Sequence, residues 1–364
     1  MNQLAAIQPR RRLIDSTLVV EKAGWKMLRK LGNGRDGVTV LLCNHVNTEN
    51  RCTNKEDRQA AIKCVPTQNL DTVACKRLQD EINTLAYLAG GIDKNQNRTH
   101  PRILRLILHQ RFAGYELIAC LPLTGGPLHR IQRATAGGKF ERSVALYYAA
   151  EVAAAVEHLH QHGIMHRDIK ASNIVLDANG HANLIDFGFA KSGLERAENK
   201  GIGTLQRTHS FCGTLHAMAP ELISREGHGL EVDWWALGIL LWELLVGAPP
   251  FGYGENGADA IATQIKSGIV VAEYAVPPIS TNNGGSDNNG GSDGSSDRDI
   301  NTRELILKLL ELDPGKRLGC RKYEIFDDPA WKELMVESAE GGSCEDANLR
   351  FLGCVGRPPE FPPI

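Results

Sequence analysis

An ordered pair of short strings constrains this chain more than any other feature. His166-Arg167-Asp168-Ile169-Lys170-Ala171-Ser172-Asn173 comes first, and Asp186-Phe187-Gly188 follows thirteen residues after the Asn. The chemistry lies in two acids and one amide, which act as a set only if one loop and the strand after it aim them at one point. Asp168 can then accept a proton from an attacking hydroxyl. Asn173 and Asp186 carry the hard oxygen ligands that suit a divalent cation. An Asp-Phe-Gly alone is a common accident, but the ordered pair at this spacing is not.

Further strings fall upstream and downstream in a consistent order. Leu31-Gly32-Asn33-Gly34-Arg35-Asp36-Gly37 is a G-x-G-x-x-G string, in which glycines let backbone approach a phosphate. With 37 Gly in 364 residues, an isolated copy reads as a plain turn. Its weight comes from Ala60-Ala61-Ile62-Lys63-Cys64-Val65, an apolar strand with one inward Lys, and from the helical stretch 74–88 that carries Glu81. Ala219-Pro220-Glu221 comes later. The run 234–246 after Asp233 is apolar almost all round, so it reads as a buried helix, too short and too acid-flanked to span a bilayer. Arg317 lies in Leu312-Asp313-Pro314-Gly315-Lys316-Arg317.

These strings resemble, in order, those of the eukaryotic protein kinase family, from about residue 25 to about 317. The resemblance implies an α+β bilobal fold with a small β-rich N-lobe and a larger helical C-lobe. It implies ATP and Mg2+ as cofactors, with Asp168 as base, Lys170 beside it, and Asn173 and Asp186 as metal ligands. Lys63 would grip the phosphates and Glu81 would hold it. Leu31, Gly32, Gly34 and Gly37 would cover the nucleotide. Cys120 would be the gatekeeper, and the backbone of Leu121 and Leu123 would meet the adenine. Glu221 would pair with Arg317. Lys170 and Thr214 are typical of serine/threonine kinases. The strings 186–191, 211–214 and 232–238 look most like the AGC group, near the cyclic-nucleotide-dependent kinases. Ser210 stands three residues before Gly213, where related kinases carry an activating phosphate, with Thr208 as the nearest competing site. Arg167, Lys191 and Arg77 are the cations placed to receive it. Arg77 lies four residues before Glu81, so it could equally be a surface partner of that Glu. The implied function is phosphoryl transfer to protein substrates, with an upstream kinase or a regulatory subunit as further partners. Alternative readings are a pseudokinase scaffold that binds nucleotide without turnover, which the intact Lys63, Glu81, Asp168, Asn173 and Asp186 oppose, and a small-molecule kinase, which the Ala219-Pro220-Glu221 segment opposes.

The chain also departs from the pattern. Thr39 stands where Val is usual, Arg35-Asp36 replaces Ser-Phe at the loop tip, and Leu215-His216-Ala217-Met218 replaces Pro-Glu-Tyr-Leu. Of the acids that read a substrate Arg in the cyclic-nucleotide-dependent kinases, Glu243 is present, but Pro127 and Ser172 stand at two other positions. The C-terminal stretch has no Phe-x-x-Phe.

Organisation follows from pattern. Residues 1–20 are expected to be a tail, loosest up to Asp15; 21–120 the N-lobe; 121–126 the hinge; 127–335 the C-lobe; and 336–364 a C-terminal tail ending in an extended Pro-rich stretch. Strands are expected near 25–31, 38–43, 60–65, 103–108 and 116–121, and a helix over 143–162. Residues 44–59 are a polar insertion. Residues 280–299, nearly all Asn, Gly, Ser and Asp, have too little apolar surface to fold and read as a disordered insertion. In the activation segment 186–221, the polar stretch 193–204 is expected to be mobile.

Composition excludes some classes. Hydrophobic residues are 42% and charged ones 23%, which suits a globular chain with a core. A net charge of −2 favours neither nucleic acid nor an anionic membrane as main partner. The nine Cys form no C-x-x-C pair, and the N-terminal stretch reaches Arg10-Arg11-Arg12 without an apolar signal core. A soluble, reduced cytoplasmic or nuclear setting is the expectation, in which the Asn97-Arg98-Thr99 sequon would be idle.

Overall fold

The computed structural model describes residues 15–34, 37–46, 59–68, 70–90, 98–194, 207–252, 257–268, 295–334, 352 and 358–359. The tip Arg35-Asp36, most of the 44–59 insertion, residues 280–294, residues 195–206 of the activation segment and nearly all of the 336–364 tail lie outside the described residues.

The chain divides into two compact units: residues 1–92 with 105–122, and residues 93–104 with 123–364. The first unit is built on one antiparallel sheet of β1 (Trp25–Asn33), β2 (Thr39–His45), β3 (Gln59–Pro66), β4 (Leu106–Phe112) and β5 (Tyr115–Cys120), in the order β1-β2-β3-β5-β4. Period-two alternation sorts its faces. Ala60, Ile62 and Cys64 of β3, with Tyr115, Leu117 and Ala119 of β5, join Trp25, Leu41 and Cys43 in one buried cluster. The intervening residues therefore share the opposite face, where Lys63 pairs with Ile118 and Ala61 with Cys120. Helix α1 (Ser16–Lys22) closes the cluster with Val19 and Val20. It corrects the expected 1–20 tail: Asp15 caps the helix by accepting from the Thr17 N–H at 2.9 Å, and burial of two valines holds it. Helix α2 (Thr72–Leu88) is capped by Asp71, which accepts from the Ala74 N–H, and its inner face carries Glu81, Ile82, Leu85 and Leu88.

Residues 98–104, expected in the N-lobe and partly in a strand, belong with the second unit. His158 Nε2 bonds the Arg98 carbonyl at 2.9 Å, Leu184 N–H bonds the Arg102 carbonyl, and Leu104 N–H bonds the Leu184 carbonyl. Those bonds consume the backbone up to Leu104, so β4 begins only at Leu106.

In the second unit, strands β6 (Gly126–Pro127), β7 (Ile174–Leu176) and β8 (Ala182–Leu184) form a small sheet. Helices α3 (Leu128–Ala134), α4 (Arg142–Gln161), α5 (Pro220–Ser224), α6 (Glu231–Val246) and α7 (Ala258–Ser267) belong to the same unit, and α3 and α4 pack on the small sheet. α4 is buried from Ala145 to His160 and packs on α6, which is buried from Val232 to Trp242. α6 also meets α8 (Ser295–Leu309), where Gly238 permits the approach: a Cβ there would lie 2.9 Å from the Leu309 Cβ. α8 overrides the expectation that 280–299 is featureless throughout. Its first turns are polar, but Leu305, Ile306 and Leu309 are fully buried, and the helix reaches back to Ser295. Among the described residues, no helix is long and apolar enough to cross a membrane.

Candidate active site

The loop that carries Asp168 is held from beneath. Asp233, in the first turn of α6, is fully buried; it accepts from the backbone N–H groups of His166 and Arg167 at 2.8 Å each and from His160 Nε2 at 2.9 Å. Burial works against its charge, but the His160 hydrogen bond and the neighbouring imidazoles hold its pKa below the ordinary carboxylate value. This anchor lets Arg167 sit at φ +67°. A left-handed backbone at a non-glycine residue is strained and persists only when its surroundings over-determine it.

Three donors then converge on Asp168. Thr214 Oγ1 donates to Oδ1 at 2.7 Å, Lys170 Nζ to Oδ2 at 2.7 Å, and Asn173 Nδ2 to Oδ2 at 2.8 Å. Lys170 Nζ also donates to Thr214 Oγ1 at 2.8 Å, so a residue far along the chain ties Asp168 and Lys170 together. Burial pushes the Asp168 carboxyl up, but these bonds and the Lys170 charge outweigh it and hold the pKa below the ordinary value. The group is therefore ionised at neutral pH.

Asp186 reaches the same hairpin by register. β7 starts directly after Asn173 and β8 ends directly before Ile185; Ile174 pairs with Leu184, and the Ile185 N–H donates to the Asn173 carbonyl at 2.9 Å. Asn173 and Asp186 thus flank the open end of one hairpin. Asp186 has φ +66°, Gly188 N–H donates to its Oδ1 at 3.3 Å, and Phe187 is fully buried edge-on to His166.

In the first unit, Lys63 Nζ lies 2.6 and 2.7 Å from the two oxygens of the buried Glu81. Cys120, on the same sheet face, is buried, and its thiol is pushed up to about 12, mainly by that burial. The Leu121 N–H is committed to the Arg105 carbonyl. Leu31, Gly32 and Gly34 lie at the end of β1, where Gly34 N–H closes onto the Val38 carbonyl at 2.8 Å, and Gly37 takes φ +78°. Arg77 is exposed on α2, one turn before Glu81. Leu123, in the second unit, is half-buried.

In the second unit, Arg167 uses Nε on the Phe189 carbonyl at 2.7 Å and Nη1 on Ser210 Oγ. Lys191 pairs through its backbone with Met165. Glu221 receives Arg317 at 2.6 Å, and the guanidinium is fully buried against the Trp235 ring.

Sequence reasoning missed the anchoring role of Asp233 and its partner His160, and the contact of His216 with Glu243. His160 and Asp233 are 73 residues apart, and no local pattern links them.

A model of the protein kinase domain matches residues 25–328. The chain belongs to the protein kinase family. Relatives include the Dictyostelium discoideum cAMP-dependent protein kinase catalytic subunit, 31% identical over 87% of this chain and 42% of that protein. An Arabidopsis thaliana serine/threonine-protein kinase, AtPK2/AtPK19, is 34% identical over 71% of this chain and 49% of its own length. A Caenorhabditis elegans ribosomal protein S6 kinase beta is 42% identical over 42% of this chain and 28% of its own length. The match to serine/threonine kinases of the AGC group thus extends over most of the chain, which spans less than half the length of each of these three relatives.

Proposed function

We propose that this chain is a serine/threonine protein kinase that transfers the γ-phosphoryl group of ATP to a protein hydroxyl. The observation that carries the reading is the hydrogen-bonded set on Asp168: a buried but ionised carboxylate, fixed by Thr214, Lys170 and Asn173, is suited to orient a hydroxyl and take its proton. Lys170 supplies positive charge at the same point.

The donor chemistry fits a magnesium site. The Asn173 amide nitrogen is committed to Asp168, which turns its oxygen outward as a hard ligand, and Asp186 supplies carboxylate oxygens at the other side of the hairpin opening. Magnesium, when bound, neutralises phosphate charge during transfer. Lys63, oriented by Glu81, would bind the α/β-phosphates, and the backbone of Leu31, Gly32, Gly34 and Gly37 would cover them. Cys120, Leu121 and Leu123 would meet the adenine. The intact Lys63–Glu81 pair argues against a pseudokinase scaffold.

Regulation belongs to the same reading. Arg167 already donates to Ser210 Oγ, so a phosphate there would meet a cation in place, with Lys191 and Arg77 as further candidates and an upstream kinase as its source. The decisive experiment is transfer from labelled ATP to a generic protein substrate. Wild type should label it in Mg2+; Asp168→Asn should lower the rate roughly 100- to 10,000-fold. Equal rates for the two would reject the assignment.

A further inference from the structure

Residues 207–210 lead into Thr214, and most of the contacts that hold them have no part in the chemistry above. Helix α5 ends at Ser224, and Arg225 caps it at φ +57°. Past a helix end, backbone carbonyls need partners from elsewhere. Here the partners come from the segment before Thr214. His209 Nδ1 donates to the Arg225 carbonyl at 3.3 Å, Arg207 Nη1 to the Gly227 carbonyl at 3.0 Å, and the Thr208 N–H to the His228 carbonyl at 3.0 Å. The His228 N–H returns a bond to the Thr208 carbonyl at 2.9 Å, so Thr208 and His228 form an antiparallel bridge. Gly227 makes the approach possible: it takes φ +90°, and a Cβ there would lie 2.9 Å from His209 Cε1 and 3.4 Å from the Arg207 Cβ.

From this bridge, contacts continue step by step to Asp168. The Ser210 N–H donates to Thr208 Oγ1 at 3.4 Å, and the Ser210 hydroxyl lies 3.1 Å from Thr208 Oγ1 and receives Arg167. The Arg225 guanidinium stands 5.3 Å over the Phe211 ring. Gly213, at φ +103°, lies so near the loop of Asp168 that a Cβ would be 2.5 Å from the Arg167 carbonyl. Thr214 Oγ1 then donates to Asp168 at 2.7 Å. The four bonds between 207–209 and 225–228 do not use the Ser210 side chain. Each such bond favours the docked segment about two- to tenfold, and the four act together against the entropy of ordering it.

We propose that Arg207, His209 and Gly227 are positioning residues: the bridge between 207–209 and 225–228 sets the activation segment so that Thr214 reaches Asp168, with or without a phosphate on Ser210. A phosphate there, meeting Arg167, then strengthens a segment already placed instead of assembling it. This rests on the kinase reading and names the regulation of the same site.

The test uses the full chain as wild type, as wild type treated with phosphatase, and as Ser210→Ala. Two quantities are read: kcat with KM for ATP, and hydrogen exchange at the Thr208 and His228 amides, which reports the bridge itself. All three forms should protect both amides to a similar degree and give kcat within about threefold of one another. In the Ser210→Ala background, Gly227→Val should lower kcat and the protection of both amides about tenfold or more with little change in KM for ATP, because a smaller docked fraction lowers turnover alone. Continued protection of the α6 amides would show that the unit is folded. Arg207→Ala, the milder variant, should lower protection about two- to tenfold, and Arg207→Lys, which keeps a donor, should restore part of it. A kcat about a hundredfold lower after phosphatase and in Ser210→Ala, with protection lost at both amides, would overturn the inference and leave the kinase reading intact. So would full kcat in Gly227→Val with both amides exposed, or unchanged protection in both Gly227→Val and Arg207→Ala. No transfer by any form would overturn the kinase reading, and this inference with it.

Discussion

Asp168 shows how a single residue is tuned by partners that the sequence separates. Lys170 and Asn173 sit in its own string, but Thr214 is 46 residues away, and its hydroxyl occupies the carboxylate oxygen that the other two leave. The sign of the pH dependence follows. The folded pKa lies below the ordinary 3.8, so the charged form, and the stability its hydrogen bonds contribute, is present above 3.8 and lost as pH falls through the lower folded value. Asp168 should therefore stay ionised across the pH range of an ordinary assay, and loss of activity between pH 8 and 5 should trace to another group. Thr214→Ala should lower kcat about tenfold or more and move the acid limb of the Asp168 profile upward, as a pH–rate series on both proteins would reveal. Cys120 gives the opposite sign. With its thiol raised to about 12, it carries almost no thiolate at pH 8, whereas Cys75 is exposed. Iodoacetamide followed by peptide mass mapping should find Cys75 labelled and Cys120 unmodified; rapid labelling of Cys120 would contradict its burial. Lys63, Asp168, Asn173 and Asp186 could be singled out in the sequence because each lies in a contiguous string that resembles one of the family's. His160 and Asp233 could not, because their pairing exists only after α4 and α6 pack.

Elements were legible in proportion to their own patterning. α6 is apolar on every face and needs no context to read as a buried helix, and the five strands of the first unit lie within a few residues of their expected positions. α8 and α1 were hidden. The polar first turns of α8 continue a Gly/Ser/Asp-rich sequence, and the apolar anchor of the helix, Leu309 against Gly238 of α6, lies at its opposite end. The link between α5 and the segment after α8 is legible as residues but not as energy. Arg317 has no exposed surface and bonds both oxygens of Glu221, so removing one partner leaves a charge buried without compensation. Glu221→Ala should destabilise the chain by about 3–5 kcal/mol, read as a lower urea midpoint. Glu221→Gln combined with Arg317→Met should recover much of that loss. A midpoint unchanged by Glu221→Ala would mean that the guanidinium finds water or another partner.

At the scale of the whole molecule, the sequence specified two units but misplaced where the chain passes between them. Residues 98–104 follow α2 in order, yet their backbone is bonded to α4 and β8, because hydrogen-bond partners rather than sequence neighbours decide membership. If the chain binds Mg–ATP as proposed, the ligand should stabilise the folded chain through mass action. At a concentration one hundred times Kd the gain is about 2.7 kcal/mol, which for a chain of this size is a Tm rise of about 4 °C. The variants should separate the contributions. Asp168→Asn alters the proposed base but none of the proposed phosphate or metal ligands, so its shift should match wild type. Asp186→Asn should lose the part of the shift that depends on Mg2+, leaving the smaller rise seen with ATP in chelator. Lys63→Met should reduce the shift with or without the metal, since it deletes the charge that meets the phosphates. Scanning fluorimetry over an ATP titration, with Mg2+ and with chelator, reads all three. A shift in Asp186→Asn that still depends fully on Mg2+ would remove Asp186 from the metal site and leave Asn173 as its sole assigned ligand.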